Sequence, residues 1–178
     1  MSDVSKEYGA ALWQLAQESD LAEQLLQETK TAQDALRDNP AYLSLLSSPD
    51  IPKEERAAAV ARAFAGGHRY LVNFLSMMVE LGYSREIPAC FEEYRRLYRE
   101  DRGIAVAKVT SARPLSDRER EKLIAALERR YDVKVEADYK IDPSLLGGMK
   151  VEISGRLLDG SAKRRLDEVK ADLSSLTL

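Results

Sequence analysis

The sequence lacks most of the side chains on which enzymes and metal sites depend. Its 178 residues include one cysteine, Cys90, and one histidine, His68. A single cysteine cannot form an internal disulfide, which fits a reducing compartment. His68 follows two glycines in a turn and has no second candidate ligand, so we interpret it as a loop residue and not as a metal or acid–base site. We therefore expect no catalytic residue, no metal and no cofactor.

Signals for nucleotide binding, secretion and membrane insertion are also missing. The sequence contains no P-loop pattern. The pair Gly147-Gly148 precedes a predicted strand, whereas a glycine loop that binds phosphate precedes a helix. The first residues are acidic, with no basic segment before an apolar core, so we expect neither a signal peptide nor a transit peptide. No uncharged apolar run approaches the roughly 18 to 20 residues of a membrane span. Any membrane association should depend on protein partners.

Glycine and proline are few, and charge is plentiful but balanced. The composition, with 44% hydrophobic and 32% charged residues, is typical of a folded globular protein, and its length allows one large or two small domains. The net charge of −3 does not indicate nucleic-acid binding. Residues 1–102 carry 12 basic against 17 acidic side chains, and residues 103–178 carry 15 against 13. Two solvated surfaces explain this division; complementary docking surfaces are the alternative.

Residues 1–102 show helical periodicity, and short breaks divide them into six amphipathic segments, which predicts an all-α six-helix bundle. In the first segment Trp13 lies about 100° or more from the middle of the apolar stripe, so a neighbouring helix or a partner must cover it. The fifth segment, residues 69–81, is apolar around most of its circumference, which is typical of a central helix or of one between bundle and partner. Its side chains form one stripe of Leu71, Phe74, Leu75 and Met78 and a second of Tyr70, Met77 and Leu81.

From Gly103 onward the hydrophobic pattern changes, and segments with the periodicity of strands alternate with segments of helical periodicity. Residues 104–111 are β-prone on both faces, and Ser116 with Glu119 forms a capping box that begins a helix. Two further segments alternate as strands, and residues 162–176 place apolar side chains on one helical stripe. We therefore predict a small βαββα domain over residues 103–178 and an α+β class for the whole chain.

The turns predicted within residues 141–176 contain glycine, aspartate and serine, which few other residues could replace there. The pair Gly147 and Gly148 requires positive φ or close backbone approach where an apolar run enters a strand. Gly155 turns that strand into a short hairpin. We interpret Asp159-Gly160-Ser161 as a tight turn and helix start, since Asp and Ser side chains accept hydrogen bonds from first-turn N–H groups.

This combination resembles the C-terminal signature of the F-type ATP synthase delta subunit family, whose mitochondrial members are called the oligomycin-sensitivity-conferring protein. The same family order extends along nearly the whole chain. A lone glycine pair is weak evidence, whereas this ordered set is specific. The signature residues that match are Gly147, Gly148, Gly155, Asp159, Gly160, Ser161 and Leu166.

The resemblance implies a non-catalytic stator subunit of the proton-translocating ATP synthase. It implies that residues 1–102 hold the N-terminal helix of an alpha subunit in a groove between the first and fifth helices, and that residues 103–178 meet the peripheral-stalk b subunits. The protein would then be a monomer within a hetero-oligomeric complex, on the cytoplasmic face of a bacterial cell membrane without inserting into it. The candidate groove residues are Tyr8, Ala11, Leu12, Trp13, Leu15, Leu71, Phe74, Leu75 and Met78.

One alternative function and two departures from the family pattern remain. Ala137 stands where a bulkier residue is usual, which only thins one face of the predicted sheet. A helical-bundle regulatory or RNA-binding adaptor is the second possibility, although the net charge of −5 on residues 1–102 disfavours RNA. Gly9 stands where the family typically has Ala, and glycine inside a helix predicts a slightly weaker first helix.

Overall fold

The computed structural model describes residues 2–153 and the backbone of residues 156–159. The chain divides into two compact units, Met1–Asp101 and Arg102–Leu178. This boundary lies one residue from the position at which the sequence period changes. The closing helix predicted over residues 162–176 lies outside the described residues, as do the signature positions Gly155, Gly160, Ser161 and Leu166.

Six α-helices and one 3₁₀ turn form the first unit. The sequence alone indicates where most of these helices end, because prolines and glycines stand between successive apolar segments. In chain order they are α1 (Asp3–Glu18), α2 (Ala22–Asp38), α3 (Pro40–Leu46), α4 (Lys53–Ala63), α5 (Arg69–Glu80), the 3₁₀ turn (Ser84–Glu86) and α6 (Ile87–Asp101).

Polar side chains fix where α1 and α5 begin. The Ser2 hydroxyl accepts a hydrogen bond from the Ser5 N–H at 3.1 Å at the start of α1. At the start of α5, His68 Nδ1 accepts from the Tyr70 N–H at 3.2 Å, and the His68 N–H donates to Glu28 Oε2 at 2.7 Å. His68 is therefore a helix cap, which agrees with its interpretation as a structural loop residue.

Helix α6 supplies much of the buried core of the first unit. Ile87, Cys90, Phe91 and Tyr94 are fully buried, so Cys90 is a small core residue. α1 packs against α6 and α4 packs against α5. Gly9 makes the first of these contacts possible, because a Cβ atom there would lie 2.6 Å from a main-chain oxygen of α6. The glycine is thus required for close packing and is not merely a weakness in α1.

A four-stranded sheet and one helix form the described part of the second unit. The strand order is β2-β1-β3-β4, with β1 parallel to β2 and the other pairs antiparallel. The α+β class is confirmed, but the predicted βαββα order omitted the fourth strand. In chain order the elements are β1 (Ala105–Ser111), α7 (Asp117–Tyr131), β2 (Val135–Ile141), a 3₁₀ turn (Pro143–Leu145), β3 (Met149–Ile153) and β4 (Arg156–Asp159).

Asp159 shows why the fourth strand was missed. It is the last residue of β4 and pairs with Lys150 of β3, so the strand extends into the first residue of the predicted turn. The rest of that turn and the helix start lie outside the described residues. A strand of four residues is too short for its alternation to be recognised, and pairing with β3 is what makes it a strand.

Two other local predictions for this unit are confirmed. Gly147 and Gly148 have φ of 150° and 77°, the positive values expected where the chain turns into β3. Ser116 and Glu119 form the predicted capping box of α7, with the Ser116 N–H donating to Glu119 Oε2 at 2.9 Å. α7 packs on one face of the sheet, and the buried core there comprises Ala107, Val109, Leu115, Leu127, Val135, Val151 and Ile153.

Candidate partner-binding surface

Two side-chain contacts join α1 and the residue after it to α5 and the residues after it. At one end the rings of Tyr8 and Tyr83 have centroids 6.0 Å apart. At the other end the Ser19 hydroxyl donates to the Tyr70 hydroxyl oxygen at 3.5 Å, and this hydrogen bond, together with nearby Arg69, lowers the pKa of Tyr70 from its ordinary value. The start of α1 therefore lies near the end of α5, so the two helices run in opposite directions.

Between these two contacts the helices expose large apolar side chains. Leu15 of α1 is 37% exposed, Met77 is 39% exposed, and Leu81, which follows α5, is 48% exposed. Exposed apolar side chains that share one surface, unlike scattered single ones, are typical of interaction sites. We call this region the α1–α5 surface and define it as Tyr8, Leu15, Tyr70, Met77, Leu81 and Tyr83.

Only part of the candidate groove set lies on this surface. Tyr8, Ala11 and Leu15 are accessible on α1. The remaining six side chains are buried in the first unit of the chain by itself. These buried residues are Leu12, Trp13, Leu71, Phe74, Leu75 and Met78.

Aromatic contacts explain why two of these residues point inward. Trp13 packs edge-to-face against Tyr94 and Tyr98 of α6, with ring centroids 5.4 and 5.9 Å apart. A neighbouring helix therefore covers Trp13, which was one of the two possibilities that its position on α1 left open. Phe74 packs against Phe91 of α6 at 6.1 Å.

The second apolar stripe of α5 provides the exposed residues instead. Tyr70 and Met77 belong to that stripe, and Leu81 continues it beyond the helix end. The sequence contained the signal, because α5 is apolar on two sides, but periodicity does not say which side faces the bundle. Tyr83, which follows Gly82, was not among the candidate residues at all.

No arrangement for catalysis or metal binding appears among the described residues. They contain no group of three His, Cys, Asp or Glu side chains that could hold a metal ion. Burial raises the pKa of the Cys90 thiol to about 12, so the thiolate, which is the nucleophile, is not formed near neutral pH. Nor does any helix in this part of the chain have the length and apolar character of a membrane span.

Comparison with known proteins decides the family. The family model described as ATP synthase delta (OSCP) subunit matches residues 4–173. The chain belongs to this family. A subunit delta of the ATP synthase from Lachnoclostridium phytofermentans is 34% identical, with 98% of this chain and 97% of the relative aligned. A Geobacillus subunit delta is 32% identical over 96% of both chains.

A solved structure shows that the fold is shared with a distant relative. A chain in the cryo-EM structure of the Toxoplasma gondii mitochondrial ATP synthase hexamer is 19% identical, with a TM-score of 0.72. The likeness covers 97% of this delta-family chain and 98% of that one.

Membership of the delta family assigns the general function. This chain is a non-catalytic subunit of the peripheral stalk of the ATP synthase, and it takes part in ATP synthesis and proton transport through that complex. It is a peripheral part of a membrane-bound complex. The comparisons do not support the alternative of a regulatory or RNA-binding adaptor.

Proposed function

We propose that this delta-family subunit links the catalytic head of the ATP synthase to the membrane-anchored b subunits through one contact in each of its two units. The unit within residues 1–102 binds the N-terminal helix of an alpha subunit, and the unit within residues 103–178 binds the peripheral-stalk b subunits. The subunit acts as a single copy on the cytoplasmic face of a bacterial cell membrane, as its bacterial relatives suggest, and its six helices act as one bundle. Rotary torque is thereby coupled to ATP synthesis.

The α1–α5 surface is the observation that supports the alpha-subunit contact. Its exposed side chains lie on two neighbouring helices at helical spacings, such as Tyr8 and Leu15 on α1 and Tyr70 and Met77 on α5. A partner helix presents apolar anchors at i, i+3 or i+4, and i+7, and such a stripe would cover these side chains.

The two end contacts limit the length of helix that this surface can hold. Tyr8 and Ser19 are eleven residues apart on α1, which at about 1.5 Å per residue corresponds to about 16 Å. The partner segment between the two contacts would therefore make about three turns. A helix of this length is short in isolation, so its ordering should accompany binding.

Two substitutions on this surface and one matched control test the contact. Leu15→Asp and Met77→Asp place a carboxylate where an apolar anchor should be desolvated, and Leu45→Asp changes an equally exposed leucine, 41% exposed on α3. Binding of a peptide copying the alpha-subunit N-terminal helix to the full chain would be measured by calorimetry. We expect at least a tenfold loss for the first two variants and little change for the third.

Two results would contradict the alpha-subunit contact. One is failure of the natural chain to bind the peptide, and the other is an equal effect of all three substitutions. Because each substituted side chain is already partly exposed, the variants should fold, and far-ultraviolet circular dichroism would check this.

A further inference from the structure

Strand β2 lies at one edge of the sheet in the second unit. It pairs with β1 on one side, and no described strand pairs with its other side. Its register with β1 is unbroken over all seven residues, and the strand contains no proline. Proteins commonly protect a sheet edge with proline, with a bulge or by keeping the edge strand very short. The β2 edge has none of these protections and is therefore able to pair with a further strand.

Alternate residues of β2 direct their main-chain groups away from the sheet. Just before the strand, the Lys134 carbonyl oxygen accepts a hydrogen bond from the Ala105 N–H at 2.9 Å. Just after the strand, the Asp142 N–H donates to the Ser111 carbonyl oxygen at 2.8 Å. The even-numbered residues therefore bond to β1. Because the direction of hydrogen bonding alternates along a strand, the odd-numbered residues direct their N–H and C=O groups outward.

Three of these outward residues make no main-chain hydrogen bond within the part of the chain that the structure describes. They are Ala137, Tyr139 and Ile141. The fourth, Val135, donates its N–H to Glu128 Oε1 of α7 at 3.2 Å, so α7 protects only the start of the edge. Towards the other end the side chains of Tyr139 and Ile141 are exposed as well. Main-chain groups and apolar side chains are thus both accessible there.

The charged side chains along this edge have a self-complementary order. They alternate with the core residues of β2, so they all lie on the face of the sheet away from α7. Suppose that two copies pair antiparallel with residue 138 on the two-fold axis. Lys134 of each copy then lies opposite Asp142 of the other, and Glu136 of each copy lies opposite Lys140. In chain order the charged residues are Lys134, Glu136, Asp138, Lys140 and Asp142.

The neighbouring registers of such a pair bring like charges together. With residue 137 on the axis, Lys134 would lie opposite Lys140. With residue 139 on the axis, Glu136 would lie opposite Asp142. Like charges directly opposite each other are destabilising, whereas opposite charges contribute favourably. The order of charges therefore selects the register with residue 138 on the axis.

The remaining contacts of this register are compatible with pairing. On the α7 side of the sheet the small Ala137 lies opposite the large Tyr139, and their outward main-chain groups form a hydrogen-bonded pair. Asp138 is the one charged side chain that meets its own copy. Lys108 of β1 lies beside Asp138 in the register of the sheet, which offsets that repulsion. Pairing therefore adds main-chain hydrogen bonds, apolar contact and pairs of opposite charge along one strand.

We propose that, outside the ATP synthase, two copies of this delta-family subunit pair antiparallel through their β2 edges and form one sheet that continues across both copies. Glu136 already has an interaction within its own chain, and a carboxylate has lone pairs enough to accept a lysine of the second copy as well. The interface involves one strand from each copy, so we expect a dissociation constant between about 1 µM and 1 mM. This pairing is a property of the free subunit and is independent of the proposed contacts in the assembled enzyme, where the subunit acts as a single copy.

The test uses charge reversals in the full chain and sedimentation equilibrium, which measures mass against concentration. The natural chain should rise from 20.0 kDa towards twice that mass below about 1 mM. Lys140→Glu and Glu136→Lys should each weaken self-association at least tenfold, because each places like charges opposite each other. An equimolar mixture of these two variants should associate again, because positions 136 and 140 then carry opposite charges across the pair. Lys30→Glu and Glu80→Lys are the controls, since they make the same charge changes at exposed sites of the first unit and should have less than a twofold effect.

Three results would overturn the pairing. A natural chain that stays at 20.0 kDa up to about 1 mM does not form the dimer, and the edge would then be left to a strand of another protein. Association that the β2 reversals weaken no more than the controls do would place the interface elsewhere. Failure of the mixture to associate would exclude the antiparallel register. Amide hydrogen exchange gives a second readout, because the outward N–H groups of Ala137 and Tyr139 should become protected as the concentration of the natural chain rises.

Discussion

Gly9 of α1 lies directly against the main chain of α6 at Cys90. A Cβ atom built on Gly9 would be 2.6 Å from the Cys90 carbonyl oxygen and 2.7 Å from the Glu93 Cβ atom. Real Cβ atoms do not approach other atoms so closely, so the two helices can keep this separation only if residue 9 has no side chain. The contact fixes how deeply α1, which carries part of the α1–α5 surface, sits on α6.

Gly9→Ala should therefore destabilise the protein, although alanine is the better helix former. Overpacking a tight contact costs about 1–3 kcal/mol, which exceeds the gain in helix propensity of about 1 kcal/mol. Urea denaturation would measure the free energy of unfolding. Gly66→Ala is the control, because a Cβ atom there meets nothing within 4 Å and its effect should be close to zero. A more stable Gly9→Ala variant would show that the helices separate at no cost.

Glu93 and Arg96 form an ion pair in which the carboxylate is buried and the guanidinium is half exposed. Hydrogen bonds from Arg96, helped by its charge, lower the pKa of Glu93 in spite of burial. Glu93→Gln should cost about 1–2 kcal/mol at neutral pH, since the pair is partly screened by solvent. Glu92→Gln removes the neighbouring and more exposed pair with Arg95, and it should cost less than about 0.5 kcal/mol.

The sign of the pH dependence follows from the lowered pKa of Glu93. A carboxyl group with a lower pKa in the folded state contributes stability above its unfolded pKa, and this contribution is lost as pH falls. The difference between the natural protein and Glu93→Gln should therefore shrink as the solution is acidified below the ordinary range of a glutamate. A difference that stays constant on acidification would contradict the ion-pair explanation.

Glu119 should titrate far below other glutamates. Hydrogen bonds from Arg113, and then from Ser116 in the capping box, lower its pKa to about 2. The contribution of its charge to the stability of α7 is thus present above its unfolded pKa and is lost as pH falls towards 2. Carbon-13 NMR of the side-chain carboxyl would report the midpoint. Arg113→Gln should raise that midpoint, whereas an unchanged value would mean that Arg113 does not pair with Glu119 in solution.

Cys90 should be unreactive in the folded protein. Its side chain is fully buried, and burial raises its pKa to about 12. A chromogenic disulfide reagent should modify it only as fast as the protein unfolds, and modification should speed up with added urea. Ala125→Cys in a Cys90→Ala background provides an exposed thiol on α7 that should react at once. Equal reaction rates for the two thiols in buffer would show that α6 is not buried as described.

The amino-acid sequence by itself determined the features that depend on neighbouring residues. The spacing of apolar residues indicates the helices of the first unit. The capping-box pair Ser116 and Glu119 marks the start of α7. The pair Gly147 and Gly148 identifies positive φ, because other residues rarely adopt it. The ordered signature at the carboxyl end indicates the family, because an ordered set of residues is far more specific than a lone glycine pair.

Only the tertiary structure decided which apolar face is buried. Two stripes of α5 have similar hydrophobicity, and the packing of Phe74 on α6 turns one of them inward and leaves Met77 outside. In the same way Tyr94 and Tyr98 cover Trp13, and pairing with β3 makes Asp159 part of a strand. The physical reason is common to all three: periodicity records how apolar a face is, whereas burial depends on which distant segment fits against it.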